Sequence, residues 1–120
     1  MQGKNNERGQ AVELAARRHL ERRGLKMLAS NFRTRWGEID LVMNHDGQVV
    51  FVEVRYRADK RFGGAAASVT MAKQARILRA AAQFLEQHRL AHRPVRFDIV
   101  TAEGAGERLE WLVDAFRPSE

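Results

Sequence analysis

The chain has 120 residues, of which 44% are hydrophobic and 30% charged, and its 21 Lys and Arg against 15 Asp and Glu give a net charge of +6. This length and composition favour a single folded domain over residues 1–120 and argue against disorder. No apolar run approaches the roughly 20 residues of a membrane-spanning helix, and the polar start of the chain is unlike a secretory signal. The lack of cysteine excludes disulfides and thiolate metal sites. We therefore expect a basic, cytoplasmic protein that does not contact a membrane.

The excess of basic residues favours a polyanionic partner, nucleic acid above all. One cluster of arginines lies on the first predicted helix, at Arg17, Arg18, Arg22 and Arg23. A second basic cluster lies at one strand end and in the loop after it, at Arg55, Arg57, Lys60 and Arg61. The alternative for each cluster is a solvated surface that keeps the protein in solution.

The first half of the chain predicts one helix and three strands. The helix covers residues 7–23, which are rich in Ala, Leu, Arg and Glu, and Gly24 is a natural end for it. Strands are predicted over residues 25–32, 37–43 and 49–57, and the apolar start of the third strand indicates a central strand covered on both faces.

The second and third strands predict a hairpin. Alternation along the second strand predicts two faces, one with Ile39, Leu41 and Met43 and the other with Glu38, Asp40 and Val42. The turn between the strands is Asn44-His45-Asp46-Gly47, in which Asp-Gly tolerates the positive φ of a tight hairpin.

The second half of the chain predicts a helix and one or two further strands. The helix begins after Ser68 or Thr70 as its cap and runs to about Leu90. Its predicted buried stripe is Met71, Ala75, Leu78, Ala82 and Leu85. Beyond Pro94, a strand contains Val95, Phe97 and Ile99, and a last strand is predicted over residues 109–116. The resulting order is α-β-β-β-α-β with a final β, a mixed-sheet α/β domain.

Two carboxylates interrupt the most apolar strands. Glu53 lies in VVFVEVRYR and Asp40 in GEIDLV, and an ionised carboxylate in such a strand costs several kcal/mol unless it is paired or bound to a cation. With the hairpin centred on Asp46-Gly47, the numbers of facing residues sum to about 93, which makes Asp40 and Glu53 cross-strand neighbours. Like charges in these positions favour a divalent cation between them, and Mg²⁺ or Mn²⁺ suits oxygen ligands.

Arg55 is two residues beyond Glu53 and shares its face of the strand. The two acids and this cation therefore converge on one side of the hairpin. The alternative is an ion pair of Arg55 with Glu53 or Asp40 that has no function beyond the fold.

These residues resemble the PD-(D/E)xK nuclease superfamily, in which an Asp on one strand is followed by Glu-x-Lys on the next strand of a hairpin. More closely, the chain is similar to the YraN family, bacterial proteins assigned as endonucleases and related to archaeal Holliday junction resolvases. The stretches that match are AVELAARRHLERRG, NFRTRWGEIDLV, VVFVEVRYR, FGGAA and MAKQARILRAAAQFL. The resemblance implies a restriction-endonuclease-like α-β-β-β-α-β core with a central mixed sheet flanked by helices.

The same resemblance implies the roles of the site residues. Asp40 and Glu53 are expected to ligate the metal, and Glu13 on the first helix is expected to complete the acidic cluster. Arg55 stands where the superfamily has Lys, and Arg cannot act as a general base because it does not release its proton. Arg55 can still hold the scissile phosphate, and Lys73 on the second helix is a candidate for the missing lysine; the alternative for Lys73 is an exposed solubilising side chain.

Three further carboxylates and several motifs have plainer interpretations. Glu13 could instead form a surface pair with Arg17, four residues later. Glu38 is either a supporting acid or a charge at a strand end, and Asp98 is expected to pair with a neighbouring arginine. His88 and His92 have helical metal spacing but lack the glutamate of a zinc protease between them.

The loop over residues 58–67 contains Lys60, Arg61 and Phe62, which suit a clamp on nucleic acid, although Phe62 could equally anchor the loop to the core. We therefore expect Arg57, Lys60, Arg61 and Lys73 to contact nucleic acid, most simply DNA. The leading hypothesis is a metal-dependent DNA endonuclease that acts at branched or junction DNA. Cleavage of a junction would call for a homodimer, because a two-fold axis places two sites symmetrically. The alternative is a nuclease-fold module without turnover that binds nucleic acid or a protein.

Overall fold

The computed structural model describes residues 3–56, 69–103 and 108–118, with backbone alone for residues 3–8. Two helices are present, α1 (Gly3–Glu21) and α2 (Met71–Gln87). The strands are β1 (Lys26–Thr34), β2 (Gly37–His45), β3 (Gln48–Tyr56), β4 (Val95–Glu103) and β5 (Arg108–Leu112). The predicted α-β-β-β-α-β order with a final strand is confirmed, and element boundaries differ from the predictions by a few residues.

The five strands form one mixed sheet in the order β1-β2-β3-β4-β5. The first three strands pair antiparallel, β3 pairs parallel with β4, and β5 returns antiparallel to β4. Helix α2 lies in the crossover that a parallel β3–β4 pair requires. The central position predicted for β3 is confirmed, because β3 pairs with a neighbour on each side.

Each helix covers one face of the sheet, and each face has its own apolar core. On the α1 face, Ala16 and Leu20 pack with Val50, Val52 and strand neighbours. On the α2 face, the core contains Val49, Phe51, Phe84 and other large side chains. Successive residues of β3 thus alternate between the two cores. Among the described residues, no helix is long and apolar enough to cross a membrane.

The buried face of α2 differs from the predicted stripe. Met71 is 72% exposed, Ala75 and Ala82 are exposed, and Leu78 and Leu85 lie at the margin of the core. The residues that are buried are Ile77, Ala80, Ala81 and Phe84. The prediction was wrong by about one residue of rotation, because the helix has two adjacent apolar stripes at the same spacing. The sheet selects the stripe with Phe84, whose ring packs edge-on against Phe51 and Phe32.

Positive φ angles and a helix cap explain where several of the predicted elements begin or end. Gly24 has φ of +94° after α1, and Asp46 and Gly47 have φ of +54° and +85° in the β2–β3 turn. The Thr70 hydroxyl caps α2 by accepting a hydrogen bond from the N–H of Lys73 at 3.1 Å. Ser68, the alternative cap, lies outside the described residues.

The last strand is shorter than predicted. It ends at Leu112 rather than reaching residue 116, because the chain turns at Asp114, whose φ is +56°. The N–H of Asp114 then donates to Asp98 at 2.9 Å, and the N–H of Ala115 donates to the carbonyl of Phe97 at 2.7 Å. Apolar periodicity continued past the strand, but these bonds bend the chain back over β4.

Asp98 is a fully buried carboxylate in β4 with every lone pair directed at a donor. Arg96 donates to both of its oxygens at 2.9 Å, and the Nε1–H of Trp111 donates to Oδ2 at 2.9 Å. The expected pairing of Asp98 with a neighbouring arginine is confirmed. This network ties β4, β5 and the turn after β5 together, and it is separate from the acids in β2 and β3.

We expect Asp98→Asn to lower the free energy of unfolding by about 3 kcal/mol, because a carboxamide cannot accept all four hydrogen bonds and leaves the buried Arg96 charge without compensation. Urea denaturation followed by circular dichroism measures this change. The matched variant Asp46→Asn, at a side chain that is 95% exposed, should change stability by no more than about 0.5 kcal/mol. Equal stability of the two variants would show that the buried network contributes little.

Candidate functional site

The β2–β3 ladder ends one residue before the two strand carboxylates. Paired residues run from His45–Gln48 to Leu41–Val52, which confirms the predicted register of the hairpin. Beyond that point the Asp40 carboxylate replaces a backbone acceptor, and its Oδ2 accepts a hydrogen bond from the N–H of Val54 at 2.8 Å. The side chain of Asp40 thus holds β2 to β3 at the place where backbone pairing stops.

The alternation of β2 breaks at the same residue. Ile39 packs in the core under α2, whereas Leu41 and Met43 pack in the core under α1. The prediction that all three share one face was therefore wrong. Strict alternation assumes a continuous ladder, and here the ladder is interrupted where a side chain replaces a backbone acceptor.

Glu53 follows Val49 and Phe51 on the α2 face of β3 and is only 5% exposed. Its Oε2 lies 3.4 Å from the Nζ of Lys73 on α2 and 3.7 Å from the guanidinium of Arg55. The structure therefore brings both predicted cations to Glu53. The ion pair of Arg55 with Glu53, which the sequence left as an alternative to a functional site, is present. Lys73 is not a free surface lysine.

Glu13 approaches the acids from α1, on the other side of the sheet. With its amide oriented towards the carboxylates, Asn31 donates to Glu13 at 3.2 Å and to Glu38 at 2.7 Å. Burial raises the pKa of Glu13, the hydrogen bond from Asn31 opposes that rise, and the negative charge of Glu38 adds to it. The alternative for Glu13, a surface pair with Arg17, is not present, and Arg17 pairs instead with Glu21 at 3.1 Å.

Asp40 has the most strongly shifted pKa of these acids. Burial, with the nearby charge of Glu53 as the second cause, raises the pKa of Asp40 to about 8. The hydrogen bond from Val54 opposes this rise without cancelling it. Asp40 therefore keeps its proton near neutral pH unless a positive charge is brought to the pair.

The donor chemistry of Asp40 and Glu53 fits a hard divalent cation. Within the described ranges, no three His, Asp or Glu side chains come close enough to enclose a metal ion, so Glu13 does not join the pair in a closed cage. Mg²⁺ is commonly held by one or two carboxylates, with waters and substrate phosphates as the remaining ligands. Asp40 and Glu53 suit such a site, because these neighbouring carboxylates ionise together only when a cation compensates their charge.

Some of the other residues singled out from the sequence lie in the part of the chain that the structure describes, and others do not. Arg57, Lys60, Arg61 and the glycines of the 58–67 loop lie outside the described residues. His88 bonds the carbonyl of Phe84 through its Nδ1 at 2.9 Å and stacks on the Phe84 ring.

Sequence reasoning missed Asn31, which joins Glu13 to Glu38. Asn31 adopts φ of +51° within β1, a left-handed conformation that Asn tolerates better than most residues. An asparagine in the middle of an otherwise alternating strand was the available signal.

Comparison with known proteins places the chain among close relatives. The family model described as "Uncharacterised protein family UPF0102" matches residues 12–102. A UPF0102 protein of Xanthomonas campestris pv. campestris (strain B100) is 51% identical over 118 residues, 98% of this chain and 97% of the relative. A UPF0102 protein of Xylella fastidiosa (strain 9a5c) is 54% identical over 110 residues, 91% of each chain. A UPF0102 protein of Xanthomonas axonopodis pv. citri (strain 306) is 49% identical over 121 residues, 100% of this chain and 99% of the relative.

We expect Asp40→Asn to stabilise the metal-free protein at high pH. The pKa of Asp40 is about 8 when folded against an ordinary 3.8, so the wild type is most stable below the lower value and loses stability as pH rises towards the higher one. The Asn oxygen still accepts the N–H of Val54 but has no charge to bury. The Tm of the variant should exceed that of the wild type at pH 8 by about 5 °C, or roughly 1 kcal/mol, and match it near pH 4.

Differential scanning calorimetry in a chelating buffer measures both Tm values across pH. The control is Asp46→Asn, which makes the same chemical change at the exposed turn of the same hairpin and should leave the pH profile unchanged. A variant of Asp40 no more stable than the wild type at pH 8 would show that ionisation of Asp40 is not opposed in the folded state.

Proposed function

The chain belongs to the UPF0102 family, and we propose that it is a metal-dependent endonuclease that hydrolyses DNA phosphodiester bonds, with the restriction-endonuclease-like fold and PD-(D/E)xK ancestry that the YraN resemblance implies. One observation carries the proposal: Asp40 and Glu53 lie together in the sheet at the end of the β2–β3 ladder, with Lys73 at 3.4 Å from Glu53. A cytoplasmic location is part of the proposal, because DNA is found there in bacteria.

Two acids in this position are costly for a protein that needs only a fold. Burial and the charge of Glu53 oppose ionisation of Asp40, whereas an apolar pair would pack between the two cores without that cost. A bound Mg²⁺ or Mn²⁺, held by Asp40 and Glu53, would polarise the scissile phosphate and make a nearby water more acidic. The acid pair is thus explained by a cationic ligand better than by the fold.

The two cations beside Glu53 have different chemistry. Arg55 is partly exposed, and its planar guanidinium can hold two oxygens of a phosphate and stabilise the charge that develops there. Lys73 carries a compact ammonium group with three rotatable donors beside Glu53, so it can orient the attacking water by a hydrogen bond. Lys73 therefore replaces the lysine that the superfamily pattern would put at residue 55, but it reaches Glu53 from α2 rather than from β3.

Glu13 extends the site towards α1. Burial raises the pKa of its carboxyl, and the hydrogen bond from Asn31 holds that carboxyl beside Asp40. Arg57, Lys60 and Arg61, which follow β3 in the chain, are proposed to hold DNA. Cleavage of a junction would use two copies of the chain related by a two-fold axis.

A second candidate function is a nuclease-fold module that binds nucleic acid or a protein without turnover. It is supported by the ion pairs of Glu53 with Lys73 and Arg55, which compensate part of the negative charge without a metal. The two functions differ in whether the acid pair binds a divalent cation.

Calorimetric titration with Mn²⁺ in the presence of a short branched DNA tests this difference. We expect the wild type to bind the metal and Asp40→Asn to lose that binding, because the variant removes a carboxylate ligand and leaves the hydrogen bond to Val54. Asp46→Asn is the matched control and should bind as the wild type does. No metal binding by the wild type would contradict the endonuclease and favour the module.

We further expect Glu53→Gln to abolish DNA cleavage while DNA affinity stays the same or increases, because one negative charge facing the phosphate is removed. Cleavage of branched and linear DNA is measured with Mg²⁺ or Mn²⁺, and affinity by fluorescence anisotropy in a chelator. Glu86→Gln, an exposed change on the same helix as Lys73, should retain both properties. Cleavage by Glu53→Gln at the wild-type rate would contradict the proposed role of the acid pair.

A further inference from the structure

A tryptophan between two arginines lies at the β1–β2 turn. The guanidinium carbon of Arg35 and that of Arg79, from α2, each lie over the ring of Trp36 at 4.5 Å from its centroid. Contacts of this kind between guanidinium and indole are attractive and hold long side chains in place. Trp36 therefore joins a cation from the turn to a cation from the helix.

The turn that carries Trp36 is fixed by a threonine. The hydroxyl oxygen of Thr34 accepts the N–H of Trp36 at 3.0 Å and that of Gly37 at 3.3 Å, and the hydroxyl donates to the carbonyl of Gly37 at 3.0 Å. A Cβ at Gly37 would lie 3.8 Å from the Cβ of Arg76, so α2 passes directly over this turn. Arg35, Trp36, Arg76 and Arg79 thus form one surface, which we call the tryptophan–arginine patch.

The arginines of this patch differ from the paired arginines of the described chain, and the contacts of Arg35 and Arg79 with Trp36 also set those two apart from the unpaired Arg18, Arg22, Arg23, Arg33, Arg89 and Arg93. Arg17, Arg55, Arg96, Arg108 and Arg117 each pair with a carboxylate. Within the described residues, Arg35, Arg76 and Arg79 form no ion pair with Asp or Glu, although all three are exposed. No carboxylate of the described residues therefore compensates their charge, which is the arrangement that an external anion requires.

The patch adjoins the proposed site through α2 and β2. Arg76 is three residues beyond Lys73, so it follows by roughly 4.5 Å along the helix axis, and Arg79 follows by about as much again. Glu38, which like Glu13 accepts a hydrogen bond from Asn31, is two residues beyond Trp36 in the chain. A polyanion that reached Lys73 and Arg55 would therefore pass next to the patch.

We propose that the tryptophan–arginine patch binds the phosphodiester backbone of duplex DNA beside the bond to be cleaved, with Trp36 as the residue that positions Arg35 and Arg79. This assignment rests on the proposed function for the identity of the polyanion. Both guanidinium groups lie over the indole, so the ring is not free to stack on a base. The patch therefore binds DNA through phosphate charge and not through base contacts.

The test measures the affinity of a short blunt duplex by fluorescence anisotropy in a chelator, over a range of salt concentrations. For Arg35→Gln/Arg79→Gln we expect weaker binding and a salt slope smaller by about 0.9 for each phosphate that the variant no longer neutralises. Arg108→Gln, at an exposed arginine on β5, at the opposite edge of the sheet from β1, should keep the wild-type slope. An unchanged slope in the double variant would overturn the proposal.

The positioning role of Trp36 has its own test. Trp36→Phe keeps an aromatic face for the guanidinium groups and should bind DNA nearly as the wild type does, whereas Trp36→Ala should lose affinity. Equal affinity of both variants with the wild type would overturn that role. A duplex with an abasic residue should bind as well as the intact one, and tighter binding of the matching RNA duplex would overturn the assignment to DNA.

These results are separable from those for the acid pair. Loss of DNA affinity in the arginine variant, in a protein that binds no Mn²⁺ and cleaves nothing, would support the patch and contradict the endonuclease. Wild-type DNA affinity in the arginine variant, with cleavage that depends on Glu53, would support the endonuclease and overturn the patch.

Discussion

The hydrogen bond from the N–H of Val54 to the carboxylate of Asp40 is the constraint on which the site depends. It ends the β2–β3 ladder, holds the two strands together beyond their last backbone pair, and places Asp40 beside Glu53. It also changes the phase of β2, so that Ile39 and Leu41 pack in different cores. A polar side chain thus performs a task that belongs to the backbone elsewhere in the sheet, and it does so where α1 and α2 can both reach the acids.

The polar side chains around this bond come from five different elements of the fold. Glu13 comes from α1, Asn31 from β1, Asp40 and Glu38 from β2, Glu53 and Arg55 from β3, and Lys73 from α2. The neutral amide of Asn31 donates hydrogen bonds to Glu13 and Glu38, whereas Lys73 and Arg55 compensate the charge of Glu53 alone. Asp40 is left without a cation of its own, and burial, with the nearby charge of Glu53 as the second cause, raises its pKa. The balance of charge within the site is therefore incomplete on the side of Asp40, which is where we propose that a metal binds.

Patterns within single elements predicted much of this fold, and contacts between elements account for the errors. The hairpin register followed from Asp46-Gly47, and the end of α1 followed from Gly24, because backbone conformations with positive φ depend on local residue type. The buried stripe of α2 was misplaced because helical spacing cannot distinguish two neighbouring apolar rows; the sheet chose the row with Phe84. The acids Asp40 and Glu53 were visible as polar residues in apolar strands. Asn31 and Trp36 were not recognised, because their roles depend on which side chains other elements bring to them.

The position of α2 along the chain affects the order in which the site can assemble. The bond between Asp40 and Val54 spans one hairpin, a short loop that closes early in folding, whereas Lys73 reaches Glu53 only after α2 has docked on the sheet. Two acids are thus brought together before their lysine arrives. In the uncovered hairpin Asp40 lacks the burial that is the main cause of its raised pKa, so the repulsion between the two carboxylates disfavours their pairing until the helices cover them. The helix then delivers its ammonium group as the last member to join.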